Sequence, residues 1–529
     1  MRNKQYLLYV CCLAVLFSQS TVQAQAQVTY LERSWDSASK QVKTETKSRT
    51  DCKEITGKKG EDWEGLGNGW YVMKGEVRRK VVHVIGDAHL ILADGCSLSA
   101  LQLKIEAQRN AKLHVYSQSD GNNQGKIAIF NNYFDLNAAI GSSGSNSMGS
   151  LYIHVGDISA SHGPHRITSA AIGGGAGGQI DPKSEVVIYA GKVTVTGTSL
   201  GAAIGGGEKA SQGGPITIYG GTVDARGGSG SAAIGGGWRG NGGTVNIYGG
   251  KVTARAIPNE GKCTGAGIGG GDDGQGGDVH IYGGEVTAYG GMTAAGIGGS
   301  GSESGGTLEV TGGMVYASGY DKSSQAAPGI GGGLYGGDGG KVTITGGIVK
   351  AVTKHSNQFS AAPIGASTYE GGHLFYNTGE VLLGDAMKVA WSNHNDAISD
   401  AQYQQGSYLH AASAAKRAEA CMERTYTFVQ IEPCNHAEWS YVVKDDSKHW
   451  HQCIYCNHKI EESHAYEGGK CVCGKVEVAE SDWWTITIQK TTDGKTYTHD
   501  LIRLTPLKKW NENTYALLNR NQKKLGKLL

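Results

Sequence analysis

Proline is scarce in this chain, 8 of 529 residues, and no strict Gly-X-Y triplet runs through it, so a collagen-like triple helix is excluded. Charge is sparse as well: Asp, Glu, Lys and Arg make up 18%, below the usual quarter, and their formal balance is +1. Losing Arg2 and Lys4 with a leader keeps it near neutral, so nothing in the charge asks for nucleic acid. Long apolar runs are missing beyond Phe17, and no later segment approaches the roughly 20 apolar residues of a membrane span. Glycine is what abounds, with 84 residues, more than twice the usual share of about 7%. At 39% hydrophobic residues and with 25 tyrosines, the chain is too apolar for a solvated disordered tract. Its 529 residues exceed what one core normally organises, which points to several folding units or one elongated one.

The first 26 residues carry a short basic start (Met1 to Lys4), an apolar run from Tyr6 to Phe17, and small residues at Val22-Gln23-Ala24 or Ala24-Gln25-Ala26. This is the layout of a cleaved secretory signal, so export is expected. Cys11 and Cys12 invite a lipoprotein reading, against which stands their place inside the apolar run with little hydrophobic sequence before them.

The middle of the chain repeats itself. Ala-Ala-Ile-Gly or a near variant recurs at Ile140, Ile172, Ile204, Ile234, Ile268, Ile297, Ile330 and Ile364, with spacings of 32, 32, 30, 34, 29, 33 and 34 residues. A fixed period of this length identifies stacked coils. Between the marks lie Val186 to Tyr189, Ile216 to Tyr219, Val245 to Tyr248, Val279 to Tyr282, Leu308 to Thr311 and Val342 to Thr345, each alternating apolar and other residues as a strand does. A Gly-Gly pair, a second alternating piece such as Val223-Asp224-Ala225, and a glycine-rich excursion complete the unit. Three short strands per repeat wind as three faces of one coil, and the product is a parallel β-helix. Glycine serves corners where φ is positive and a Cβ would clash.

Residues 76 to 137 alternate similarly without the Ala-Ala-Ile mark and read as atypical first coils. The expected organisation is a leader (1–26), a polar cap over the exposed coil edge (27–75), the β-helix (76–385), a cap or linker (386–430) in which Ala401 to Arg424 forms a closing helix, a Cys/His module (431–476), and a β-hairpin with a basic tail (477–529). The hairpin is read from Trp484 to Ile488 and Tyr497 to Leu504 through Asp493-Gly494, and the tail from Lys508, Lys509, Arg520, Lys523, Lys524 and Lys527.

The phrase Val84 to Cys96 and the recurring Ala-Ala-Ile-Gly-Gly-Gly and Ile-Tyr-Gly-Gly resemble the glycine-rich, pectin-lyase-like right-handed β-helix surface proteins common in gut bacteria. The resemblance spans about residues 70 to 385. It implies an all-β, right-handed parallel β-helix and a secreted or cell-surface place. It does not choose among the lyases, hydrolases, adhesins and carbohydrate-binding modules built on that fold.

Five cysteines fall within 40 residues: Cys434-x-His436, then His449-Trp450-His451-x-Cys453-x-x-Cys456-x-His458, His464, and Cys471-x-Cys473-Gly474. Thiolates and imidazoles two or three residues apart can converge on one ion from a tight turn, as tetrahedral zinc requires. The expected ligands of two structural zinc sites are Cys434, His436, His449, Cys453, Cys456, His464, Cys471 and Cys473, with His451 and His458 as alternative imidazoles. The segment resembles small zinc-ribbon-like modules, although its last pair is Cys-x-Cys rather than Cys-x-x-Cys. A disulfide module is the competing reading, since exported proteins meet an oxidising compartment. Five cysteines would leave one unpaired, and disulfides give no reason for the interleaved histidines.

On the coils, Tyr189, Tyr219, Tyr248 and Tyr282 share one repeat position and should form an outward ladder. With Trp238 they are the candidate glycan-binding rings, unless stacked tyrosines serve only to stabilise the coil. Asp272, Asp273 and Asp278 surround one glycine loop and are a candidate calcium site. Three functions follow. The first is a non-enzymatic glycan-binding protein or adhesin whose partner is an extracellular glycan or a host or cell-surface component. The second is a polysaccharide lyase or glycoside hydrolase using these carboxylates with Arg239 or Arg255. The third is a passive surface spacer.

Overall fold

A computed structural model describes residues 26–57, 63–132, 136–163, 167–197, 199–256, 264–319, 327–353, 359–369, 377–393 and 409–477, and strands Trp483–Gln489, Thr496–Pro506, Tyr515–Leu518 and Lys524–Leu528. Residues 1–25 of the expected leader, Lys508, Lys509, Arg520 and Lys523 lie outside them. The chain divides into a large unit, mainly residues 1–384, and a smaller one that includes residues 433–529.

In the large unit the repeat becomes a coil with three faces. On the first face, strands such as Ile216–Ile218, Thr244–Ile247 and Asp278–Ile281 pair in parallel with their equivalents one coil away, and 12 strands line up from Lys53–Ile55 to Glu380–Leu383. On the second face, Thr222–Gly227 pairs with Lys251–Ala256 so that Val223 meets Val252 and Ala225 meets Ala254. Because strand side chains alternate, this register drives every second residue inward. Ile218, Val223, Ala225 and Ile234 are accordingly buried. Each such Val or Ile contributes about 1.5–3 kcal/mol of burial.

The third face is only two residues wide. Ile140, Ile172, Ile204, Ile234, Ile268, Ile297, Ile330 and Ile364 pair in parallel, coil on coil, and so do the glycines that follow them. Those glycines hold φ between 131° and 143°. At Gly205 a Cβ would sit 2.0 Å from the Gly235 carbonyl oxygen, and at Gly235 it would sit 2.1 Å from that of Gly269. The Ala-Ala-Ile-Gly mark is therefore a steric requirement: the next coil's carbonyl occupies the space of a side chain.

Parallel stacking begins at Lys53, inside the segment read as cap. In the early coils one nine-residue strand serves two faces: Ser97–Ile105 meets Lys126–Asn131 through its first half and Ile140–Gly141 through Leu103 and Lys104. That accounts for the missing mark before residue 138. Upstream, β1 (Val28–Asp36) and β2 (Gln41–Arg49) form an antiparallel hairpin. Its Asp36 closes the turn by accepting bonds from the Ala38 N–H at 3.1 Å and the Ser39 hydroxyl at 2.7 Å.

The expected closing helix is much shorter. Residues 401–408 lie outside the described residues, and the rest yields a 3₁₀ turn at Ala414–Lys416 and an α-helix at Arg417–Met422. The edge of the second face is instead covered by an antiparallel strand, Phe428–Pro433, whose Val429 and Ile431 face Ala351 and Val349. Burial of Phe428, Val429 and Ile431 in the coil outweighs the helix propensity of the alanines before them.

The smaller unit holds a three-stranded antiparallel sheet (Trp439–Val443, Lys448–Cys453, Lys459–Ser463) and a two-stranded ribbon (Tyr466–Glu467, Lys470–Cys471). The hairpin expected near residue 490 is present as Trp483–Gln489 paired with Thr496–Pro506, and two further strands, Tyr515–Leu518 and Lys524–Leu528, extend it into a meander.

The glycine column sets a clear expectation. Gly205→Ala should lower stability by several kcal/mol, roughly 3 or more, since it adds a backbone clash to a forbidden φ. Gly144→Ala, at φ 52° with open space around it, should cost about 1 kcal/mol. Urea melts of the two variants compare them, and equal losses would remove the column as the limiting constraint.

Candidate functional sites: two Cys/His clusters and an aromatic face

In the smaller unit the eight expected metal ligands fall into two groups of four, Cys434, His436, Cys453 and Cys456, and His449, His464, Cys471 and Cys473. Within each group the donor atoms lie within 4.8 Å of one another. The first group is built on a knuckle in which His436 takes φ 52° and its N–H donates to the Cys434 sulfur at 3.4 Å. The Cys434 and Cys453 sulfurs are 3.6 Å apart, and His436 Nδ1 is 3.3 Å from the Cys456 sulfur. In the second group His464 Nδ1 lies 3.4 Å from both the Cys471 and Cys473 sulfurs, and His449 Nδ1 lies 3.8 Å from Cys471. A tetrahedral ion at about 2.3 Å from sulfur and about 2.1 Å from nitrogen separates its ligands by about 3.4–3.8 Å. Both clusters fit that cage.

The surroundings agree with ligand chemistry. His464 Nε2 lies 3.0 Å from the Asp445 carbonyl oxygen, which only accepts. The ring proton therefore sits on Nε2 and the Nδ1 lone pair faces the two sulfurs. Burial raises the Cys471 thiol, but hydrogen bonding, led by the Cys473 N–H, outweighs it and brings the group to about 7. No disulfide occurs among the described cysteines. The alternative imidazoles are engaged elsewhere: His458 stacks on His436 at 4.3 Å and His451 on Tyr441 at 4.7 Å.

In the large unit the tyrosine ladder is continuous. Tyr189, Tyr219, Tyr248 and Tyr282 stack with centroid separations of 5.2, 4.8 and 4.5 Å, and the column continues upstream through His154 (5.0 Å) to Tyr116 (4.3 Å). Much of it is covered. Trp35 of β1 lies on Tyr219 at 4.8 Å and on Tyr248 at 4.9 Å, and Tyr30 packs on Trp70 and Tyr116. The hairpin thus lies along the outer face of the first sheet. Tyr282 is the open rung, 38% exposed. Beside it on the same face, His280 Nδ1 lies 3.1 Å from a Glu309 carboxylate oxygen.

Residues 186–208, 216–238, 245–272, 279–301 and 304–334 match a family model described as a beta helix repeat. This is a right-handed parallel β-helix protein. No curated protein and no solved structure matches the chain.

Of the other expected site residues of the β-helix protein, Trp238, Arg239, Asp272 and Asp273 are neighbours at one corner, while Arg255 and Asp278 belong to strands of the other two faces. Trp238 stands at a separate corner, after Ile234–Gly235, with Arg239 over its ring at 4.3 Å and Lys209 at 5.3 Å. Asp272, Asp273 and Asp278 do not bring three oxygens together as a calcium site would need. Asp273 faces Arg239 at 3.8 Å, and Asp278 opens the strand Asp278–Ile281. Arg255 sits over the Tyr289 ring at 4.6 Å on the second face.

Trp35 was invisible to repeat analysis, since it belongs to no repeat. Replacing it with alanine should loosen the hairpin. Hydrogen exchange of the amides in residues 28–49 should rise at least tenfold while the amides of 216–256 keep their protection. Unchanged exchange in the hairpin would mean that Trp35 does not hold it.

Proposed function

We propose that this is an exported protein, secreted or held at a cell surface, that binds an extracellular glycan without cutting it. The observation that carries the reading is the open end of the aromatic column, where the exposed Tyr282 ring stands beside the His280–Glu309 pair. An aromatic face takes the apolar side of a sugar ring, and a neighbouring carboxylate and imidazole take its hydroxyls. The layout of the first 26 residues supports export. A ribbed sheet with a coil repeat of about 4.8 Å suits an extended polymer.

Cleavage is a second reading with one observation in its favour. Burial, and then the charge of Asp273, raises the Asp272 carboxyl above its ordinary value, as in a general acid. Against it, the Asp273 carboxylate is matched by Arg239.

Incubating the protein with a glycan array and a panel of acidic polysaccharides separates the readings. Binding without new reducing or unsaturated ends is expected, weakened about tenfold by Tyr282→Ala and unaffected by Asp272→Asn. Cleavage abolished by Asp272→Asn would establish the enzyme instead, and silence on every glycan would leave a spacer.

For the smaller unit we propose two structural zinc ions, one per cluster. Four protein donors each leave no position for an activated water, and so few apolar side chains need an external staple. Cys456→Ser and Cys471→Ser should each remove one tightly held zinc, read by metal analysis after dialysis. Loss of both ions in either variant, or of neither, would reject the two-site assignment.

A further inference from the structure

At the first coils, a third donor cluster, with no cysteine among its donors, stands on the outer face of the first sheet. Asp87 and His89 are two apart in the strand Asp87–Leu92 and so share one face, and the parallel register sets His114 directly beside His89 on the next coil. Asp87 Oδ1 lies 3.5 Å from His89 Nε2 and 3.5 Å from His114 Nε2. The three donor atoms all fall within 4.8 Å of one another. That oxygen is sealed from solvent and accepts no hydrogen bond.

The proton arrangement behind the cluster sharpens this. His154 Nδ1 lies 2.7 Å from the Arg33 carbonyl oxygen and 3.3 Å from the Arg33 nitrogen. A carbonyl only accepts, so the shorter contact requires the proton on Nδ1 and leaves a lone pair on His154 Nε2. His114 Nδ1, 3.5 Å away, donates to that lone pair. The remaining His114 nitrogen, Nε2, then carries its own lone pair and aims it at Asp87 Oδ1. Two lone pairs facing each other across 3.5 Å in a half-buried site call for a cation between them. His89 is oriented as a ligand would be, its Nδ1 held 3.1 Å from the hydroxyl of buried Tyr116.

We infer that Asp87, His89 and His114 form a binding site for a divalent transition ion, with Tyr116 and His154 as the residues that fix the two imidazoles. Two neutral nitrogens and one carboxylate oxygen select the zinc, cobalt and nickel class over calcium or magnesium, which prefer oxygen. Three protein donors leave a tetrahedral ion one position for water or a ligand oxygen.

The test is titration of the metal-free full-length chain with Co²⁺ alone. Thiolate-bound cobalt absorbs strongly through sulfur-to-metal charge transfer, whereas this site has no sulfur, so its equivalent is expected to bind without adding to that band. Asp87→Asn and His114→Gln should each weaken this sulfur-free equivalent at least a hundredfold and leave the thiolate band unchanged. Tyr116→Phe should weaken it about tenfold. An independent readout on the unsubstituted chain is diethylpyrocarbonate modification, which added Ni²⁺ should suppress at His89 and His114, as read by peptide mass spectrometry. The assignment is overturned if no sulfur-free equivalent binds, if it persists undiminished in folded Asp87→Asn and His114→Gln chains, or if Ni²⁺ leaves the modification unchanged.

Discussion

The β-helix rests on one close approach, a glycine α-carbon set against the carbonyl of the glycine one coil further on. At eight successive corners, from Gly141 to Gly365, the backbone holds φ near 140°. At the first seven a Cβ would stand 1.9–2.1 Å from the next glycine's oxygen. The chain cannot spread its coils at this corner to admit a side chain without breaking the parallel ladders on the other two faces. Part of the excess of glycine follows from that spacing.

This is also why so much of the fold could be read in advance. A requirement repeated every thirty-odd residues prints itself on the sequence, and Ile140 to Ile364 emerge in the same parallel stack that their spacing implies. The Cys/His module was legible for a different reason: few residue types bind soft ions, and pairs such as Cys453 and Cys456 can reach one point only through a tight turn. Interactions that occur once left no such print. Trp35 meets Tyr219 across nearly two hundred residues, and Asp273 meets Arg239 only through the stacking of coils. Asp87 and His89 stand in a phrase recognisable by eye, but their companion His114 joins them only through the register of the coils.

The two units are held together in different ways. The large unit shares its interior between neighbours, so that each coil's Val, Ile and Ala are buried by the coils beside it. The smaller one gathers sulfur and nitrogen donors into cages.

The N-terminal hairpin gives the solenoid a property that stacked coils alone lack. In a pure stack each rung feels only its immediate neighbours, so rungs can fray one at a time from an end. Here a single ribbon touches Ser117 through Leu31, His154 through Arg33, and Tyr219 and Tyr248 through Trp35. It acts as a splint. Tension along the axis must shear this ribbon off before the rungs beneath it can part, so that stretch yields as one block and the rungs beyond Tyr282 give way first.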